Sequence, residues 1–380
     1  MTDDSARLAL RERLAAAGIA APSRAEAVVI DLAGDPPLGA SERTIAEEEA
    51  DRIVAALGAA MVAARAKQGV IAVRDREAET ALSRSLALRK DEGHSFVSSP
   101  RPSHARSTTP QRRNEGVSPQ TVEMVATPEP PEASRVVRVP AVWPSVGIDR
   151  DLGIDGAWVL DGERALDLDA AAFHRERAPR RLTVTGAVRR PGVLRGRFTV
   201  EEALAAAGGT DELAWAALDG GLLGGRLADP EAPVRSSLLV VLPAAHPHVA
   251  RARVSLTDWL RRASSACEGC RLCSDACPVA LDGVGLLPHE VIWTLVSRRD
   301  DATRLAAAAA CAGCGVCDSA CPSSLSPWAL VDAVKARLPT DVTRPARGDV
   351  HPEREGRRMG VDLLLLRLGG EQAWRIPFRS

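Results

Sequence analysis

The sequence has no tyrosine, and aromatic residues make up only 3% of its 380 positions. Ala, Arg and Gly are abundant instead, which reads as compositional bias as much as function. It also lacks an excess of either charge. With 49 basic and 50 acidic residues the formal net charge is −1, which gives no bulk attraction to nucleic acid or to an anionic membrane surface. No apolar run reaches the roughly 18–20 residues that cross a bilayer as a helix. The first residues, MTDDSARLALRERL, are acidic and then mixed in charge, without the basic start and apolar stretch of a secretory signal. These absences predict a cytoplasmic protein with reduced thiols, in which eight cysteines read as metal ligands before disulfides.

What is present suffices for two or three domains, with 45% hydrophobic residues to build their cores. Residues 5–17 read as a helix whose larger apolar residues are Leu8, Leu10 and Leu14. Val28 to Leu32 is a strand candidate. Thr44 and Glu47 form a T-x-x-E capping box opening a helix in which Ile53, Leu57 and Met61 recur on one face. Val70 to Val73 is a second strand, followed by a helix to about residue 89. Strand, helix, strand, helix predicts an α/β domain over 1–90 with a parallel pair. Residues 91–140 hold eight prolines, seven serines and four threonines. Such a segment cannot bury enough apolar surface to offset its ordering entropy, and a disordered linker is expected. Residues 141–180 carry no assignable pattern.

From Leu182 the pattern alternates, with a turn at Pro191-Gly192 and a resumption over Val193 to Val200. A short helix, Val200 to Ala207, stops at Gly208-Gly209. Leu238 to Leu242 is a buried strand. Residues 181–250 are therefore expected as a compact β-rich domain with one helix. Residues 251–340 read as helical, and 341–380 as a tail. Pro288 and Pro327 suit first helical turns. Ser326 is a good N-cap, and Leu330, Val331, Val334 and Leu338 follow it as an apolar stripe.

All eight cysteines fall in two runs. CEGCRLCSDACP carries Cys267, Cys270, Cys273 and Cys277. CAGCGVCDSACP carries Cys311, Cys314, Cys317 and Cys321. Both read C-x2-C-x2-C-x3-C-P. Three cysteines at this spacing let one tight loop set three thiolates around a corner of a cubane, with backbone N–H groups free to face the sulfides. Gly269, Gly313 and Gly315 permit the dihedrals such a loop needs. In two-cluster ferredoxins the fourth cysteine ligates the other cluster. That crossing predicts cluster one on Cys267, Cys270, Cys273 and Cys321, and cluster two on Cys311, Cys314, Cys317 and Cys277. It would tie both halves into one pseudo-symmetric unit. Zinc sites use separated C-x2-C pairs, and disulfides would need an oxidising compartment, so both are weaker readings. His246 and His248 read as loop residues and His289 as a first-turn helix residue, none at ligand spacing. Trp259 and Trp328 read as packing residues.

With these stretches in hand, the C-terminal half resembles the C subunit of Rnf electron-transport complexes. It resembles more closely the PduS family, cobalamin-reductase-type iron–sulfur flavoproteins of propanediol-utilisation microcompartments. LTVTGAVRRPGV at 182–193 is similar to the start of a soluble-ligand-binding β-grasp (SLBB-like) domain. DGGLLGGRL at 219–227, PVRSSLLVVLPAAHP at 233–247, LLPHEVIW at 286–293, LSPWALVDAVKARL at 325–338 and MGVDLLLLRLGG at 359–370 follow the family order. The resemblance covers about 181–370. The N-terminal part is similar, more weakly, to the flavin- and NADH-binding subunit of respiratory complex I. VVIDLAGDPPLG at 28–39 stands where the family has N-A-x-E-x-E-P, keeping only Asp31 and Asp35 as acids. AAAGIAAPS at 15–23, with one glycine, stands where it has G-x-G-G-x-G-F-P. A phosphate cradle needs converging N–H groups and glycine where Cβ would intrude.

The resemblance implies an α+β multidomain protein. Its parts would be a degenerate N-terminal α/β domain, an SLBB-like β-grasp middle domain and a C-terminal helical two-[4Fe–4S] ferredoxin-like domain. It implies one-electron transfer from a flavin or ferredoxin-like donor to a cobalamin-related acceptor, in the cytoplasm or a bacterial microcompartment lumen. FMN in the N-terminal domain would make the chain a complete NADH-dependent oxidoreductase. A third reading is a docking module, with residues 5–17 as a helix that engages a microcompartment shell.

Overall fold

The computed structural model describes residues 3–91, 133–154, 156–299 and 301–368. Most of the expected linker, residues 92–132, lies outside the described residues. The fold is mixed α/β and divides into an N-terminal parallel sheet, a middle mixed sheet and a helical C-terminal part.

The first layer begins with α1 (Asp3–Ala16), β1 (Ala27–Asp31), α2 (Ser41–Glu48), α3 (Ala50–Ala64), β2 (Gln68–Val73) and α4 (Arg76–Asp91). It continues with β3 (Ser134–Arg138), α5 (Ile148–Asp151), β4 (Trp158–Asp161) and α6 (Gly162–Phe173). The strands are all parallel in the order β3-β2-β1-β4. Ala27 to Asp31 are buried throughout β1, as a strand covered on both faces requires. Ile53, Leu57 and Met61 are buried on α3 as their spacing predicts. Leu10 and Leu14 are buried on α1, while Leu8 is 51% exposed. Arg11 reaches from α1 to the carbonyls of Ala21 (2.9 Å) and Ala63 (2.9 Å), so α1 is packed into its own domain.

Three expectations are corrected. Residues 134–138, placed in the linker, form β3, and the unassigned stretch 141–180 supplies β4 and α6. The Thr44–Glu47 capping box does not form. α2 begins earlier, at Ser41, and Thr44 Oγ1 bonds back to the Ala40 carbonyl inside the helix. The Asp35 carboxylate takes the cap's place, accepting from the N–H groups of Glu42 and Arg43, both at 3.1 Å.

The middle layer holds β5 (Arg181–Gly186), β6 (Gly192–Arg195), α7 (Val200–Ala206), β7 (Trp215–Asp219), β8 (Arg226–Ala228) and β9 (Leu238–Pro243). Strand order is β6-β5-β9-β7-β8, with β5 and β9 parallel and the other pairs antiparallel. Thr199 and Glu202 make a complete capping box on α7, and Gly208 and Gly209 end that helix at positive φ. This sheet is fastened to the first by Arg181, whose buried guanidinium meets Glu49 at 2.8 Å, and by the Ala40 N–H on Thr183 Oγ1 at 3.0 Å.

The C-terminal part is built from α8 (Pro247–Ala252), α9 (Leu256–Ala266), α10 (Leu272–Asp275), α11 (Pro278–Leu281), α12 (Pro288–Val296) and α13 (Ala302–Ala306), then a 3-10 turn. α14 (Val316–Ala320), α15 (Pro327–Lys335), α16 (Arg354–Arg357) and α17 (Val361–Arg367) follow. His246, expected in a loop, is the N-cap of α8, and His248 lies within that helix, because Pro247 is set up for a first turn. No helix among the described residues is long and apolar enough to cross a membrane.

Candidate iron–sulfur centre

Each cysteine run folds as a loop, a one-turn helix and a proline-started exit. Cys267 and Cys270 precede α10, Cys273 lies on it, and Cys277 caps α11. Cys311 and Cys314 precede α14, Cys317 lies on it, and Cys321 closes it. Gly269, Gly313 and Gly315 all adopt positive φ, as the loops were expected to need. At the place of Gly315 the first run has Arg271, which is held at φ +67° without a glycine's freedom.

The two halves are braced in the same way. The residue after each third cysteine accepts an N–H from the first turn of the helix that follows. Ser274 Oγ accepts from His289 N at 3.0 Å and contacts its Nδ1 at 2.7 Å. Asp318 accepts from Trp328 N at 2.8 Å, from Ser326 Oγ at 2.6 Å and from Arg251 at 3.1 Å. Burial pushes the Asp318 carboxyl up, against the pull of Arg251 and these donors. Neither strut stood out in the sequence, although their shared position after the third cysteine was visible there. Trp259 is buried beside Cys273 and Cys317, and Trp328 packs on the same core, as expected.

The thiols fall into two neighbourhoods. Burial pushes Cys273 up to about 12, helped by Cys321, Cys267 and Cys270. Burial likewise takes Cys314 to about 12, helped by Cys277 and Cys311. Cys277 rises to about 11 by burial, moderated by N–H groups of Ala280 and Val279, with Cys311 adding to the rise. Cys317 is pushed far up by burial, then by Asp318, Cys314, Cys277 and Cys311. Cys277, Cys311, Cys314 and Cys317 together line one small cavity with Val279, Leu286 and Val331 among its walls. The Gly313 N–H points at Cys311 Sγ, 3.4 Å away.

This donor set fits a cluster. Thiols so buried are poor anions alone, and bound iron would supply the positive charge that favours the thiolates. Among the described residues no three His, Cys, Asp or Glu side chains converge as a single ion would require. Zinc at about 2.3 Å from each sulfur demands that convergence, whereas a cubane sets each thiolate on a different iron.

The second neighbourhood is roofed by the middle sheet. The 220–225 loop between β7 and β8 lies on the second cysteine loop so closely that a Cβ on Gly224 would come within 2.0 Å of the Gly313 oxygen. A Cβ on Gly315 would come within 2.3 Å of the Gly224 nitrogen. Trp143 Nε1 adds a bond to the Cys314 carbonyl at 3.4 Å. Over the first cysteine loop the Trp293 ring lies against the Gly269 backbone, and of the eight cysteines only Cys270 is exposed.

The family model of the 4Fe–4S dicluster domain matches residues 266–326, which enclose all eight cysteines. Cobalamin reductase PduS of Salmonella typhimurium is 35% identical over 143 residues, 36% of this chain. PduS of Citrobacter freundii is 37% identical over 118 residues, 30% of this chain. The chain thus carries a 4Fe–4S dicluster domain and is similar to PduS over about a third of its length. It spans 32% and 26% of the length of these two relatives. Crystal structures of an NAD+-reducing [NiFe]-hydrogenase, H2-reduced and air-oxidized, each match with a TM-score of 0.44 and 14% identity. They cover 90% and 97% of this chain and 60% and 67% of those chains. The iron–sulfur, electron-transport character expected from the cysteine runs is supported by the dicluster domain match and by the similarity to PduS.

Proposed function

We propose that this PduS-like protein relays single electrons through two [4Fe–4S] clusters. Cluster one is held by Cys267, Cys270, Cys273 and Cys321, and cluster two by Cys311, Cys314, Cys317 and Cys277. The single observation that carries the reading is the crossed grouping of the thiols: Cys277 of the first run lines one cavity with Cys311, Cys314 and Cys317 of the second. When bound, the clusters supply one-electron chemistry at potentials somewhere within roughly −700 to +450 mV. The chain's own part is to exclude water, to aim N–H groups at sulfur and to keep the two sites in one braced unit.

The five-stranded sheet with its single helix supports an SLBB-like β-grasp role for 181–250. The relatives' name suggests a cobalamin-related acceptor; the family resemblance further implies a place in the cytoplasm or a microcompartment lumen, with electrons arriving from a flavin or ferredoxin-like donor. Anaerobic purification with iron, sulfide and EPR analysis tests the claim. About eight irons per chain are expected for two such clusters, and half that number, or zinc, would sink it.

A second reading, a complete NADH-dependent oxidoreductase with FMN, is favoured by one observation. Strand order reverses between β1 and β4, and ligands of open parallel sheets bind outside the carboxyl ends at such a point, here beside Asp31 and Asp161. Against it, the 15–23 segment turns carbonyls toward Arg11, where a phosphate would need N–H donors. Flavin released on denaturation would favour this second reading.

A further inference from the structure

The two cysteine neighbourhoods differ in what covers them. The second lies under the 220–225 loop, Trp143 and the packed tail around Met359 and Leu364. The first opens to solvent at Cys270. Two large apolar side chains stand exposed beside it. Leu272, two residues on, is 45% exposed, and Trp293, whose ring lies against the Gly269 backbone, is 47% exposed. An exposed tryptophan and an exposed leucine thus flank one cysteine loop, and exposed apolar side chains of this size are typical anchors of protein interfaces.

The charges around this patch are mostly of one sign. Arg271, Arg298 and Arg299 are exposed, and none makes an ion pair within the described residues. Arg298 and Arg299 close the helix that carries Trp293. The nearby carboxylates Asp258 and Asp301 are paired with Arg261 and Arg304, leaving Glu268 as the exposed acid of the loop. Arg271 is also held in a left-handed conformation where its counterpart in the second run is Gly315. A side chain kept at such a position costs about 1–2 kcal/mol that glycine would spare, which points to a use for the cation.

We infer that this face is the electron port of the protein and docks an acidic one-electron carrier protein. Leu272 and Trp293 form the apolar centre, and Arg271, Arg298 and Arg299 the basic rim. The inference rests on the two-cluster reading and assigns the exchange with outside partners to cluster one. Charge complementarity of this kind governs association rate and salt dependence more than final affinity.

The test uses the anaerobically purified holoprotein and three probes. A plant-type [2Fe–2S] ferredoxin and a flavodoxin are both strongly acidic and unrelated in fold, and cytochrome c is strongly basic. Binding of both acidic probes at low salt is expected, weakening about tenfold or more at high salt. Arg298→Glu/Arg299→Glu should weaken it about tenfold, with Arg298→Gln/Arg299→Gln as the milder form if the first fails to fold. Trp293→Ala should weaken binding at both salt concentrations, and Arg84→Glu, on the exposed side of the first domain, should change nothing. Absence of binding by either acidic probe, unchanged binding by the arginine variants, or preferential binding of cytochrome c would overturn the inference. Iron content and EPR spectra measured on the same samples separate the outcomes. Missing clusters in the unaltered protein defeat the relay reading, whereas intact clusters with salt-independent binding defeat the port alone.

Discussion

Cys277 belongs to the first run in sequence and lines one cavity with Cys311, Cys314 and Cys317 in space. Cys277→Ser should therefore damage cluster two while leaving the cluster-one signal largely intact, and Cys321→Ser should do the reverse. Iron analysis with EPR checks both, and a loss confined to the variant's own run would show uncrossed ligation. The glycines of the second loop make a sharper comparison. Gly313→Ala places a Cβ in open space and bears only the cost of positive φ, about 1–2 kcal/mol. Gly224→Ala adds a collision with backbone at 2.0 Å. Overpacking costs about 1–3 kcal/mol, so with φ +68° the total should reach about 3 kcal/mol. Thermal denaturation of the two variants measures the difference, and cluster two should be the cluster that suffers in Gly224→Ala.

Among the elements, α2 shows how a local motif loses to tertiary structure. T-x-x-E at Thr44 satisfies the rule for a capping box, yet the Asp35 carboxylate approaches from the preceding loop and starts the helix at Ser41. Asp35→Ala should cost about 1–2 kcal/mol and Thr44→Ala much less, measurable by denaturant unfolding. Beside that cap lies Glu42, which accepts the Gly162 N–H at 3.1 Å. Burial, then the charges of Asp35, Asp161 and Asp31, hold its carboxyl far above the usual range. The folded protein thus keeps a proton there that the unfolded chain releases above its ordinary carboxylate pKa. Stability from this group is full below about pH 4.3 and is lost as pH rises toward the folded value. Glu42→Gln should flatten that decline and gain stability at neutral pH, read from unfolding curves across the pH range. Long periodic elements such as α3 were legible because their pattern reports burial directly; β5 was legible as a strand from its alternation, although its Thr183 and Thr185 are as buried as Leu182 and Val184. β3 and β4 were not. SRVVR and WVLD are too short to show a period, and they become strands only because β2 and β1 offer paired edges. The cysteine loops were legible down to their glycines, since cluster ligation constrains residue type at fixed spacing. The roof over the second loop was not, because the contact joins residues about ninety positions apart.

Across the whole molecule, the N-terminal sheet domain, the cysteine domain and the tail meet at one set of ion pairs. Arg347 from the tail bridges Asp149 on α5 (2.6 Å) and Asp282 after α11 (2.6 Å). Arg354 joins Asp151 and the carbonyls of Val146 and Gly147, and Arg358 also meets Asp151. Asp149 and Asp282 are nearly fully buried, so each depends on its arginine. Removing one partner of such a buried pair commonly costs about 3–5 kcal/mol, far above the value of an exposed bridge. Burial alone would raise the Asp149 carboxyl, but Arg347's hydrogen bonds and charge outweigh it and set the group below its usual range. The stability it contributes is present above the ordinary carboxylate pKa of about 3.9 and is lost as pH falls through the lower folded value. Arg347→Met should consequently leave Asp149 buried without the guanidinium it bonds at neutral pH, and leave Asp282 with only the longer contact to Arg354 at 3.7 Å. It should loosen the tail that carries Met359 and Leu364 over the second cysteine loop, so cluster two should bleach faster in air than in the unaltered protein, while cluster one changes little. Timed optical spectra, with EPR to separate the two clusters, decide the point, and equal bleaching of both clusters would show that the clamp supports the fold without guarding cluster two.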